Sequence, residues 1–135
     1  MEFSIKISAP EKAKSSCLVA GIYESGELTN AAAAIDRVSK GMLRALVRYG
    51  DLPSKIGASR FLYKVPGVRA ERVLLVGLGK QAGLGAKEYC DAIRNATAAI
   101  HGTGIRDAWM TLAEVPVSGR DAEWKARHLA MAASE

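Results

Sequence analysis

Two short, continuously apolar runs constrain the fold of this chain more than any other feature of its sequence. They are Cys17–Ile22 and Val73–Val76. Strands with one solvated face alternate between apolar and polar residues, whereas short runs without alternation are typical of strands that are covered on both faces. A sheet with two covered faces needs a layer of structure on each side. The two runs therefore predict a layered α/β domain.

The patterns around these runs alternate between strands and helices. Further strands are predicted at Phe3–Ile7, Phe61–Val65 and Trp109–Leu112. The first helix is predicted from Thr29 or Asn30 to about Tyr49, and Gly50 ends it. A second helix is predicted over Ala86–Ile100. A third is predicted after Ser118–Asp121, a segment that resembles a capping box. The order β-β-α-β-β-α-β-α implies helical crossovers between strands. It predicts a three-layer sandwich around a mixed central sheet.

Composition narrows the class of protein. The chain has 135 residues, of which 49% are hydrophobic and 24% are charged, as expected for one globular domain that folds without a disulfide or metal staple. It contains no apolar run of membrane-spanning length and no signal-peptide pattern at its start, so we expect a cytoplasmic protein. Cys17 and Cys90 lie far apart in the sequence and are interpreted as reduced, buried thiols.

The sequence contains no pattern typical of an active site. Its two histidines, His101 and His128, are not in a metal-binding spacing, and no G-x-S-x-G motif is present. We therefore predict that this chain has no catalytic residue, no metal ligand and no cofactor-binding residue of its own.

A glycine-containing loop follows the second apolar run. The segment Gly77–Ala82 satisfies a permissive dinucleotide fingerprint after a strand. The next helix starts only after Gly85, and no acidic residue ends a following strand at the spacing that this fingerprint requires. A P-loop is excluded because Gln81 follows Lys80. We interpret Gly77 and Gly79 as residues of a tight turn, and nucleotide binding by this loop remains the alternative.

Basic residues are concentrated in one part of the chain. Between residues 37 and 64 there are seven basic residues and one acidic residue, a net charge of +6, whereas the whole chain carries +5. Four of the basic residues recur at helical spacing along the first predicted helix: Arg37, Lys40, Arg44 and Arg48. Such a stripe is usually a solvated helix face. As a binding surface, it would contact the phosphates of duplex DNA or another polyanion.

Several segments resemble the N-terminal domain of bacterial leucyl aminopeptidases, also called cytosol aminopeptidases. The most specific similarity covers Val65–Val68 and Glu71–Lys80, which resemble a strand-turn signature of that family. The resemblance also includes Met1–Ser4, Cys17–Glu24, Ser39–Gly41 and Leu46–Asp51.

The resemblance implies a macro-domain-like fold and a single non-catalytic domain over residues 1–135. In that family, a larger C-terminal domain holds two divalent metals, Mn or Zn, and removes N-terminal amino acids from peptides. The implied partners are that catalytic domain, the other subunits of a homo-hexamer and, in some bacterial members, duplex DNA. The alternative is a stand-alone macro-like module that binds a nucleotide or ADP-ribose.

Overall fold

The computed structural model describes most of the chain as five strands, three α-helices, a 3-10 turn and part of a further helix. The described residues are 2–4, 16–50, 52, 55–56, 58–80, 84–105, 107–117, 119–121, 123–125, 127–128 and 131. The strands are β1 (Glu2–Ser4), β2 (Cys17–Ile22), β3 (Ser59–Tyr63), β4 (Arg72–Gly77) and β5 (Asp107–Met110). The helices are α1 (Asn30–Val38), α2 (Met42–Arg48) and α3 (Ala86–His101), and Thr111–Glu114 form the 3-10 turn.

The five strands form one mixed sheet in the order β1-β5-β2-β4-β3. β3 runs antiparallel to β4, and the other neighbouring strands are parallel. The two apolar runs form β2 and β4, which lie side by side inside the sheet, and every residue of β2 is buried. Their lack of polar alternation follows from this position, because both faces are covered.

Helices cover both faces of the sheet, which confirms the three-layer α/β sandwich. On one face, Val19 and Val76 pack with Tyr89 and Ile93 of α3. On the other face, the interleaved strand residues pack against α1 and α2; this core includes Leu18, Ala20, Ile35, Leu43, Val73 and Leu75. The alternation of side chains along each strand sends neighbouring residues into different cores.

The prediction of one continuous helix up to Tyr49 is wrong, because α1 ends at Val38 and α2 begins at Met42. The break is a Schellman motif with Lys40 at φ 58°. Gly41 N–H donates to the Asp36 carbonyl at 2.8 Å, and Lys40 N–H donates to the Arg37 carbonyl at 3.2 Å. The Asp36 carboxylate then accepts the backbone N–H of Arg44 at 3.0 Å, so the end of α1 caps the start of α2.

Other boundaries differ by a few residues. The predicted strand Trp109–Leu112 lies instead at Asp107–Met110, and the chain then turns into the 3-10 segment. In the last helix, residues 123–125, 127–128 and 131 are helical, and Asp121 Oδ1 accepts the backbone N–H of Trp124 at 2.8 Å. Asp121 is therefore the capping residue. Ser118, the first residue of the predicted capping box, and residues 5–7 of the first predicted strand lie outside the described residues.

Candidate functional site

A small cleft lies where β2 and β5 end. Tyr23 and Thr29–Ala31 form one side, Thr111 and Val115–Pro116 form the other, and the enclosed volume is about 150 Å³. The chain leaves these neighbouring strands on opposite faces of the sheet, since α1 packs on one face and Trp124 of the last helix on the other. In open α/β sheets, a crevice at the carboxyl ends of such strands is the usual place for a ligand.

Two buried threonines build the walls of this cleft. Thr29 Oγ1 donates to the Gly21 carbonyl at 3.0 Å and accepts the N–H of Ala32 at 3.3 Å, so it joins the start of α1 to β2. Thr111 Oγ1 donates to the Val19 carbonyl at 2.5 Å and joins the 3-10 turn to the same strand. Both hydroxyls already have partners within the protein, so their role is to hold the two sides of the cleft in place.

Tyr23 differs from these threonines. Its side chain lines the cleft and the residue is only 3% exposed, yet its hydroxyl has no hydrogen-bond partner among the described residues. Burial and the nearby Glu27 carboxylate raise the pKa of Tyr23, so the hydroxyl is a neutral donor at physiological pH. Such a group in a crevice is available to a ligand. Sequence analysis missed it, although its position directly after the β2 run was a usable signal.

The glycine loop lies at the same edge of the sheet, between β2 and β4. Leu78 N–H donates to the Ile22 carbonyl at 2.9 Å, and Gly79 accepts the N–H of Glu24 at 2.7 Å. Gly79 has φ +74°, and a Cβ atom at this position would lie 2.8 Å from Ile56 Cγ1. Gly77 ends β4 without a positive φ. Gly79 therefore has the geometric role expected of a tight turn, whereas Gln81–Gly83 lie outside the described residues.

The four basic residues of the predicted stripe are exposed, and three of them, Lys40, Arg44 and Arg48, line one shallow depression that does not include Arg37. Arg37 lies in the last turn of α1, Lys40 lies in the break, and Arg44 and Arg48 belong to α2. Arg44 Nε is 3.0 Å from Asp36 Oδ2, and only 10% of the Asp36 side chain is exposed. Arg44 is thus part of the structure that joins the two helices. Arg37, Lys40 and Arg48 have no acidic partner among the described residues.

The remaining titratable candidates are dispersed. The described residues contain no group of three His, Cys, Asp or Glu side chains that could hold a metal ion, and so do not fit a two-metal centre. His128 stacks on Trp124 with 4.0 Å between ring centroids, and His101 is exposed at the end of α3. Cys17 is buried, and burial raises its pKa to about 12; Cys90 is only half-buried, which corrects the expectation of two buried thiols.

Comparison with known proteins gives the same family as the sequence motifs. Residues 19–135 match the family model for the N-terminal domain of the cytosol aminopeptidase family. A probable cytosol aminopeptidase of Nitrosospira multiformis is 45% identical over 135 residues, covering 100% of this chain and 26% of that protein. One of Dechloromonas aromatica is 43% identical over 133 residues, covering 98% and 27%. The chain thus spans about a quarter of the length of these relatives.

Solved structures show the fold. The macrodomain of Thermus aquaticus DarG superimposes with a TM-score of 0.73 at 14% identity, covering 98% of this chain and 89% of that one. A mutant of tomato leucine aminopeptidase gives a TM-score of 0.66 at 23% identity, covering 99% of this chain and 27% of that one. The macro-domain-like fold is therefore confirmed. In the part of the chain that the structure describes, no helix is long and apolar enough to cross a membrane.

Proposed function

Because the chain belongs to the cytosol aminopeptidase family, whose N-terminal domain it matches over residues 19–135, we propose that it is the assembly and regulatory domain of a metal-dependent leucyl aminopeptidase. The complete enzyme removes N-terminal amino acids from peptides, acts in the cytoplasm and forms a hexamer. Catalysis belongs to a separate C-terminal domain with two divalent metals, Mn or Zn, that activate water.

The 45% identity to the Nitrosospira protein over the whole of this chain carries the proposal. The described side chains include no cluster that could hold a metal ion. Cys17, the thiol buried in the sheet, has a pKa of about 12 and is a poor nucleophile.

A domain exchange tests this role. The segment of the Nitrosospira aminopeptidase that corresponds to this chain is replaced by residues 1–135, and a second protein lacks the segment altogether. We expect the exchanged protein to match its parent in mass by light scattering and in metal-dependent cleavage of a leucyl anilide, and the truncated protein to lose assembly. Unaltered assembly and activity without the segment would contradict an assembly role.

The chain alone should not hydrolyse the same anilide with Mn²⁺ or Zn²⁺ present. Metal-dependent turnover that co-purifies with the 135-residue chain, and that survives controls for contaminating peptidases, would contradict the assignment of catalysis to another domain.

A second proposal is that the surface formed by Arg37, Lys40 and Arg48 contacts duplex DNA. All three residues are exposed around the break between α1 and α2 and have no acidic partner in the described part of the chain. Three phosphate contacts are few. We therefore expect weak, sequence-independent binding with a dissociation constant of about 10⁻⁴ to 10⁻⁶ M, strengthened when several copies act together.

Fluorescence anisotropy with a duplex of arbitrary sequence tests this surface. Reversing Arg37 and Arg48 to Glu should weaken binding and lower the salt slope by about 2. Lys87→Glu with Arg127→Glu is the control, because Lys87 on α3 and Arg127 on the last helix are exposed on the other side of the sheet and the pair changes the net charge equally. An equal loss of DNA binding in both double variants would indicate a general effect of net charge and would contradict a local DNA-binding surface. Arg44 is left unchanged because its reversal would place a carboxylate beside Asp36.

The macro-domain-like fold keeps a nucleotide-binding module as the alternative function. Pockets for ligands of drug size measure about 300–1,000 Å³. The cleft between β2 and β5 has about 150 Å³ and is smaller than that, whereas the depression beside the glycine loop, lined by Leu78, Gly79 and Lys80, has about 410 Å³ and falls within that range. Saturable heat on calorimetric titration with ADP-ribose would favour the alternative, whereas no heat would favour the aminopeptidase domain.

A further inference from the structure

The start of α1 presents free hydrogen-bond donors to the cleft between β2 and β5. Ala32 N–H and Ala33 N–H are satisfied by the side chain and carbonyl of Thr29. The N–H groups of Asn30 and Ala31 have no acceptor in the described part of the chain, although Ala31 is only 3% exposed. The first turn contains no acidic side chain. A helix start in this state attracts an anionic group, because its amides and its dipole both favour negative charge.

The unpartnered Tyr23 hydroxyl independently indicates a ligand at the same place. A hydroxyl that lines a cleft without a protein partner is left to water, and an acceptor on a ligand would replace that water. The other fully buried tyrosine shows the usual arrangement, since Tyr89 donates to the Leu112 carbonyl at 2.7 Å. Tyr23, Asn30 and Ala31 therefore bring three donors without a protein partner among the described residues to one cleft.

Glu27 excludes a simple anion as the best ligand. Its side chain is exposed at the rim of the cleft, on a turn closed by two hydrogen bonds: Tyr23 N–H to the Glu27 carbonyl at 2.9 Å and Gly26 N–H to the Tyr23 carbonyl at 2.8 Å. A carboxylate at this position repels phosphate or sulfate but attracts an ammonium group. The cleft thus combines donors for a negative group with an acceptor for a positive one.

Size and polarity define the rest of the ligand. An apolar cavity of about 150 Å³ holds a molecule about as large as benzene. The cleft has that volume, and the apolar side chains of Leu28, Val115 and Pro116 line it. A side chain of three or four carbons fits this space, whereas most of a nucleotide would lie outside it.

We propose that this cleft binds a free α-amino acid with a small apolar side chain, such as valine. The ligand carboxylate accepts hydrogen bonds from Asn30 N–H, Ala31 N–H and the Tyr23 hydroxyl. Its ammonium group pairs with Glu27, and its side chain packs on Leu28 and Val115. Free amino acids are the product class of an aminopeptidase, so the role of the cleft as a product sensor rests on the proposed function; the binding itself does not.

Titration of the isotopically labelled chain with L-valine tests this site. We expect saturable shifts of the Asn30 and Ala31 amide signals with a dissociation constant on the order of 1 mM, a reasonable affinity for so few atoms. N-acetylvaline lacks the ammonium group and valinamide lacks the carboxylate, so both should bind at least about tenfold more weakly.

Two variants with matched controls locate the contacts. Tyr23→Phe should weaken valine binding by about tenfold, whereas Tyr63→Phe on the exposed side of β3 should not change it. Glu27→Gln should weaken binding by about threefold, with a smaller effect at high salt. Its control is Glu24→Gln, which changes another exposed carboxylate of the same turn, one that lines a different depression.

Four results would overturn the proposal. They are no saturable shift at about ten times the expected constant, equal binding of N-acetylvaline, equal binding of inorganic phosphate, and shifts of the same amides by ADP-ribose at lower concentration. All of these measurements use the 135-residue chain without catalysis. A failure here would therefore leave the domain-exchange result unaffected, and a failed domain exchange would not remove measured valine binding.

Discussion

Two crevices flank the carboxyl end of β2, and they differ in what their backbone and hydroxyl groups already bind. On the β4 side, the Leu78 and Glu24 amides and the Gly79 carbonyl all have partners within the protein. On the β5 side, the Tyr23 hydroxyl and the Ala31 amide have none among the described residues. The glycine turn on the β4 side is therefore held by its own backbone hydrogen bonds beside an open depression of about 410 Å³, whereas the β5 side contains a hydroxyl and an amide that are buried without a partner in the described part of the chain.

The difference shows that a glycine in a turn and an unpartnered hydrogen-bond donor have different physical causes. Gly79 is needed because the chain turns with a positive φ against Ile56, which is a steric requirement. A binding site is instead recognised by polar groups that the fold buries and leaves unsatisfied. Three substitutions test this distinction, from the largest expected effect to the smallest.

Gly79→Ala should lower the free energy of unfolding by about 2 kcal/mol, because an L-residue at φ +74° is strained and its Cβ would lie 2.8 Å from Ile56 Cγ1. Urea unfolding measures the loss. Gly104→Ala is the control, since it has no positive φ and no atom within 4 Å of the added Cβ. If both variants were equally stable, the steric interpretation of the β4 side would be wrong.

Thr29→Ala should cost about 1–2 kcal/mol, because it removes the α1 cap and the hydrogen bond to the Gly21 carbonyl. Thr29→Ser keeps the hydroxyl and should lose much less. Thermal unfolding of the two variants compares them directly. A Ser variant as unstable as the Ala variant would show that the methyl group, and not the cap, joins the β5 side to β2.

The smallest effect is expected from a pair of tyrosine variants. Tyr89→Phe should lose about 1 kcal/mol, because it removes a buried hydrogen bond to the Leu112 carbonyl, which keeps only the Val115 N–H at 3.2 Å. Tyr23→Phe should change the unfolding free energy by less than about 0.5 kcal/mol, because its hydroxyl has no internal partner in the described structure. A large loss for Tyr23→Phe in denaturant titration would show that the hydroxyl is used by the fold itself and would remove the donor from the cleft.

The strands were easier to predict from the sequence than the first helix was. β2 and β4 lie where their apolar runs predict, and α3 extends one residue beyond its predicted end. The predicted helix from Asn30 failed because its break places a lysine, Lys40, in the left-handed conformation that usually calls for glycine. Asp36 accepts hydrogen bonds from the backbone N–H of Gly41 and of Arg44, which follow Lys40 in the chain, and local propensity does not reveal these bonds.

The sequence by itself determined the layered architecture, the family and the absence of an active-site motif, because each depends on residue type and spacing along the chain. The charge stripe was also visible there, but only the tertiary structure showed that Arg44 is held by Asp36 while Arg37 and Arg48 have no such partner. The same holds for the cleft. No motif in the sequence singles out Tyr23 or Ala31. They become available donors only because the sheet brings β2 beside β5 and buries both residues, with no acceptor for either in the part of the chain that the structure describes.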